Sequence, residues 1–125
     1  MDLNTINVLV FAYLGDTIYE DYIRKYLILD KKIPNVSDLQ KESINYVSAK
    51  SQARYLNMLI EKDFFTEEEL SIIRRARNYK SKSHPKNCDI VTYKHATALE
   101  AVIGFMELSN NHSRINELMK HILEV

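Results

Sequence analysis

Phe11-Ala12-Tyr13-Leu14-Gly15-Asp16 and Ala98-Leu99-Glu100-Ala101-Val102-Ile103-Gly104 hold the only two glycines in this chain of 125 residues. Each glycine sits in an apolar, helix-like run beside a carboxylate. A glycine inside a helix costs roughly 1 kcal/mol relative to alanine. It is kept where another backbone or a ligand must come close. Glu100 and Gly104 are four residues apart and therefore share one helix face. The pattern predicts two buried helices that approach at their glycines and bring Asp16 and Glu100 together.

Working outward from these runs, two glycines and two prolines leave few breakers, and strand-like alternation is scarce. The reading is an all-α fold in one domain, residues 1–125. The first helix is expected from about Asn4 or Thr5 to Leu29, with Ile6, Val10, Tyr13, Leu14, Ile18, Tyr22, Ile23 and Tyr26 at helical spacing. Ser37-Asp38-Leu39-Gln40 reads as a capping box opening a short helix to about Tyr46. Ser48 is the expected cap of a third helix. Thr66-Glu67-Glu68-Glu69 is a second capping box, for a helix running to about Asn78. Tyr79 to Ile90 is the one long loop. A helix from about Thr92 to Ser109 carries Glu100, and a last one runs from Arg114 to about Leu123.

Composition narrows the class. Hydrophobic residues make up 46% and charged residues 27%, the balance of a soluble globular protein. The longest apolar runs fall well short of the ~20 residues of a membrane span. Met1-Asp2-Leu3-Asn4 has no basic leader character. A single cysteine, Cys88, excludes an internal disulfide framework and suits a reducing cytoplasm.

Net charge is zero, but it is unevenly spread. From Arg74 to Lys94 there are seven Lys/Arg (Arg74, Arg75, Arg77, Lys80, Lys82, Lys86 and Lys94) and one acid, Asp89. The chain is therefore a +6 segment on a −6 body. Local charge sets the field that a polyanion meets. The length and loop character of this segment suit a nucleic-acid backbone, in particular RNA, better than a small ligand. The competing reading is a solvated charged loop.

Asp16 and Glu100 together read as a magnesium site. Mg²⁺ takes oxygen ligands, keeps several waters and often uses only one or two carboxylates. The competing reading leaves both acids on solvated helix faces. His84, Cys88 and His95 lack the second ligand pair of a zinc site. Two distant glycines cannot build a dinucleotide or Walker loop.

Four motifs, in order, carry a family resemblance. Ala12-Tyr13-Leu14-Gly15-Asp16-Thr17-Ile18-Tyr19-Glu20 resembles the signature helix of the ribonuclease III family. Thr97-Ala98-Leu99-Glu100-Ala101-Val102-Ile103-Gly104 resembles its second catalytic helix, and Val47-Ser48-Ala49-Lys50-Ser51-Gln52-Ala53 the start of its middle helix. Arg74-Arg75-Ala76-Arg77-Asn78 and Thr92-Tyr93 are similar to a narrower subclass, Mini-ribonuclease III. The resemblance implies an all-helical, homodimeric endonuclease domain that uses Mg²⁺ and cuts double-stranded RNA. The narrower subclass matures the ends of large-subunit (23S) ribosomal RNA, and assistance from a ribosomal protein is compatible with that role.

Carried over by motif, Asp16 and Glu100 are the catalytic, metal-binding acids, and Tyr13 is the aromatic knob at the dimer interface. The larger enzymes carry two further carboxylates where this chain has Ala12 and Thr97. The subclass lacks a separate double-stranded-RNA-binding domain, so RNA grip is expected from Lys50, Arg74, Arg75, Arg77, Lys80, Lys82 and Lys86. The alternative reading is a catalytically inactive ribonuclease III-like RNA-binding or scaffold module. Such modules typically lose the acids that this chain keeps.

Overall fold

The second glycine run lies at the centre of the molecule. In a computed structural model that describes residues 2–80 and 84–124, helix α5 (Ile90–Leu108) is buried almost all round. Helix α1 (Val8–Leu29) packs along it, and α3 (Ala49–Glu61) and α4 (Glu67–Arg77) flank it. Helix α2 (Val36–Val47) lies on α1, and α6 (His112–Leu123) closes the bundle. Among the described residues there is no strand, as the scarcity of alternation predicts.

The close approach of α1 and α5 follows from their glycines. A Cβ on Gly15 would stand 1.7 Å from the Glu100 carbonyl oxygen, and one on Gly104 would stand 1.9 Å from that of Phe11. Any side chain at either position would force apart helices that now touch backbone to backbone. Val8, Phe11, Ala12, Gly15, Tyr19, Ile23 and Leu27 form the buried stripe of α1, at steps of three and four. Phe11 meets Phe105 edge to face, with ring centroids 5.7 Å apart.

The expected helix ends need correction in four places. Asp2 caps a single 3₁₀ turn, Leu3–Thr5, after which Ile6 is extended; Asn7 then caps α1 by accepting from the Leu9 N–H at 2.9 Å. Asn35, not Ser37, caps α2, accepting from the Asp38 N–H at 2.9 Å and donating to the Asp38 carboxylate at 2.8 Å. Asp89 starts α5 two residues early, taking the Thr92 N–H and hydroxyl, each at 2.9 Å. Helix α6 begins at His112 rather than Arg114. Ser48 and the Thr66/Glu69 capping box stand where they were expected.

Glu69 has a second task. It is buried, and Arg114 of α6 reaches it with two hydrogen bonds of 2.9 Å. The guanidinium also covers the Phe64 ring at 3.9 Å and donates to the Phe64 carbonyl. One bidentate pair thus fixes the start of α4 and the first turns of α6 together.

Candidate functional site

Gly15 lies against the Glu100 backbone, so the next residue, Asp16, is carried to the same place on the seam. Asp16 is exposed and Glu100 partly buried. The Glu100 carboxyl is pushed up to about 8, first by burial, then by the Asp16 carboxylate beside it. Glu20, one turn beyond Asp16, adds a weaker push in the same direction, and the nearby Gln52 amide opposes it. Near neutral pH and without a cation, this favours the protonated form of Glu100. Two carboxyl groups sharing a site cannot both ionise cheaply. A cation between them would remove that conflict.

The two positions where larger relatives of the resembled family carry acids are differently used. Ala12 is buried in the core, and the Thr97 hydroxyl turns back to donate to the Tyr93 carbonyl at 3.0 Å. Glu20 is half-buried and lies 3.6 Å from Arg24. Among the described residues no group of three or more His, Cys, Asp or Glu side chains is placed to hold a metal. The donor set at the seam is therefore two carboxylates, one open to solvent and one recessed. Near Glu100 the Gln52 Oε1 is buried without a partner among the described residues. Hard oxygen donors, an open side and an unused acceptor suit a partly hydrated Mg²⁺.

Two residues near this centre were legible only as polar intruders on apolar stripes. Tyr19 is fully buried and donates to the Tyr46 carbonyl at 2.7 Å. Burial, followed by Tyr55 and Glu100, drives its phenol far above the ordinary range, so it remains a neutral donor. Gln52 is also buried, and its Nε2 donates to the Val47 carbonyl at 2.9 Å.

The basic residues divide into groups. Arg74, Arg77, Lys80, Lys86 and Lys50 are exposed. Arg75 is only partly exposed, and one of its guanidinium nitrogens donates to the Ile6 carbonyl at 2.7 Å, holding the N-terminal segment on α4. Lys82 lies outside the described residues. A cleft of about 600 Å³ is lined by Ser48, Lys50, Pro85, Asn87, Asp89 and Thr92, among others. It joins the loop that carries Lys86 to the start of α3. Thr92 precedes Glu100 by eight residues, about 12 Å along α5. Lys50 on the rim of the cleft is therefore carried toward the same end of the molecule as the acids' seam.

Tyr13 is 84% exposed and stands with Leu9 and Val10 on the outer face of α1. These three apolar side chains form a solvent-exposed patch on one helix face among the described residues.

Comparison with known proteins agrees with this architecture. The ribonuclease III domain matches residues 9–111. Mini-ribonuclease 3 of Staphylococcus aureus is 42% identical over 124 residues, covering 98% of this chain and 91% of that protein. Mini-ribonuclease 3 of Brevibacillus brevis is 43% identical over 124 residues, covering 99% and 90%. A crystal structure of a Fusobacterium nucleatum protein superposes with a TM-score of 0.88 at 34% identity, covering 100% of this chain and 99% of that one. On matches that run nearly end to end, this chain belongs to the ribonuclease III family of endoribonucleases, in its Mini-ribonuclease III branch.

Proposed function

We propose that this chain is a Mg²⁺-dependent endonuclease of double-stranded RNA that works as a homodimer. The natural substrate on this reading is precursor 23S ribosomal RNA, as expected of the subclass. The observation that carries the proposal is the meeting of Asp16 and Glu100, close enough for the Asp16 carboxylate to shift the ionisation of Glu100, at a seam where two helix backbones touch. Asp16 would hold the ion from its solvent side and Glu100 from its recessed side. When bound, magnesium supplies positive charge to the scissile phosphate and activates water for in-line attack.

Every other part of the mechanism belongs to the side chains. The partly buried Glu100 would offer the ion its recessed oxygen. Arg74, Arg77, Lys80, Lys86 and Lys50 would hold phosphates along the duplex, reading shape and charge rather than sequence. Tyr13, Leu9 and Val10 would be covered by a second copy, each side chain used twice across a two-fold axis. The dimer would then offer two acid centres to the two strands.

The test is cleavage of a duplex RNA with and without Mg²⁺ by the parent, Asp16→Asn and Glu100→Gln. Each variant keeps side-chain size and removes a negative oxygen. Cleavage is expected to fall about 100–1,000-fold, the order set by loss of charge stabilisation at a reacting centre, while duplex binding in EDTA persists. Near-parental cleavage by either variant would refute the acid assignment. Binding without cleavage by the parent would favour the scaffold reading.

A further inference from the structure

We propose that Gln52 is a positioning residue for Glu100, its buried side-chain amide tying the acid to the C-terminal turn of α2. The inference rests on the reading of Asp16 and Glu100 as metal-holding acids. Gln52 is 4% exposed. It shares one face of α3 with Leu56 and Leu59, both buried, so core packing alone would call for an apolar side chain there. Its Nε2 donates to the carbonyl of Val47, the last residue of α2, at 2.9 Å. The last carbonyls of a helix have no partner within it, so this bond also caps α2.

The same side chain lies near the Glu100 carboxyl and favours its ionised form, across the packed contact of α3 with α5. A primary amide has two N–H donors and can serve both acceptors. Its Oε1 remains buried with no partner among the described residues. An orphaned buried acceptor is costly, and Leu or Met would fill the space without that cost. The polar side chain is accounted for by what it does for Glu100: it aims the carboxylate and stiffens a side chain whose last torsion is soft.

Tyr19 repeats the arrangement from the other side. Its hydroxyl holds the carbonyl of Tyr46, adjacent to Val47, and it also lies within electrostatic reach of Glu100. Helix α2 has no buried residue of its own. The ties from Tyr19 and Gln52 therefore matter for where its last turn sits. Groups that hold ligating carboxylates in this way typically change metal affinity or activity 10–100-fold when removed.

The test substitutes Gln52→Met, which keeps length and burial and removes both donors. Mg²⁺ affinity is measured by titration calorimetry without RNA, duplex affinity in EDTA, thermal melting, and kcat and KM at saturating Mg²⁺. The expected result is melting at or above the parent, duplex affinity within about twofold, and KM unchanged. Mg²⁺ affinity should fall about 10–100-fold, and kcat with it. Unchanged Mg²⁺ affinity and kcat would overturn the proposal, and so would a matching loss of melting temperature and duplex binding. A measurement on the parent guards against a variant that does not fold. The NMR signals of the Gln52 side-chain amide should shift on adding Mg²⁺, and no shift overturns the proposal. If instead Asp16→Asn cleaves normally, the metal reading itself has failed, which is a separate result.

Discussion

The seam between α1 and α5 and the segment from Arg74 to Lys94 carry charge of opposite sign and hold it by different means. At the seam, two acids ride on backbones in direct contact, and each glycine leaves no room for even a methyl group. In the basic segment, Arg74, Arg77, Lys80 and Lys86 extend into solvent from a helix end and a loop. On the proposed function, the contrast follows from what each charge would meet. A small ion requires ligand oxygens fixed to a fraction of an ångström. Phosphates along a duplex are many, repeat regularly and tolerate long adaptable side chains.

The hardest way to break the seam is a single methyl. Gly104→Ala would ordinarily stabilise a helix by about 1 kcal/mol. Here the added Cβ would sit 1.9 Å from the Phe11 carbonyl oxygen, and helices cannot separate without loosening the core around them. A net loss of about 3 kcal/mol or more is expected, a large share of the 5–15 kcal/mol typical of a domain. Urea denaturation would read it. A variant as stable as the parent would mean that the helices part easily and that the seam is not what fixes the acids.

Glu100→Gln sharpens the comparison by removing charge without adding volume. In the folded, metal-free chain the Glu100 carboxyl is raised from an ordinary 4.5 to about 8. Between those values the native state binds more protons than the unfolded chain. Stability contributed by this group is therefore full below the lower value, falls as pH rises through the window, and levels off above about pH 8. The Gln variant has no such charge to bury. It should melt above the metal-free parent near pH 8, by roughly 5 °C or more, with the gap closing toward about pH 5. Mg²⁺ should raise the parent's melting temperature at the higher pH and leave the variant's almost unchanged. Melting curves that run parallel at both pH values would remove the burial conflict from the account of the site.

The part of this arrangement legible from the sequence is the part that depends on residue type alone. Gly15 and Gly104 are costly in helices, so their presence in apolar runs already implied a close crossing, and the acids beside them followed. Helix ends were less legible where two caps compete. Asn35 and Ser37 are both good caps, but Asn35 follows Pro34 in extended backbone and satisfies Asp38 twice, at its N–H and its carboxylate. Ser37 is left inside the first turn. Asn7 displaced Asn4 because Ile6 stays extended between the 3₁₀ turn and α1. The role of Gln52 was not legible, because its partner is a carbonyl exposed only by the bend between α2 and α3. Nor was the task of Arg75, whose partner Ile6 is distant along the chain.

Arg75 separates a cation that builds the fold from those free to meet phosphate, and the smallest predicted effect lies with the latter. Lys50, Lys80 and Lys86 are exposed, and none of them shares the backbone task of Arg75. Lys50 borders the same cleft as Pro85 and Asn87, which flank Lys86 in the loop. Replacing all three by alanine leaves Asp16, Glu100 and the buried core untouched. Each cation in contact with a phosphate releases condensed counterion, so the slope of log affinity against log salt should become shallower by about 2–3 for three lost contacts. Affinity for duplex RNA at moderate salt should fall about 10–100-fold, and turnover at saturating RNA should stay within about twofold, as expected when contacts are lost equally from ground and transition state. Arg75→Ala is the contrasting substitution. It should loosen the N-terminal segment and lower the melting temperature, with less change in the salt slope than any one of the lysines. If the triple variant keeps the parental slope while Arg75→Ala flattens it, the phosphate contacts lie on the α4 side of the molecule and the loop cations are simply solvated.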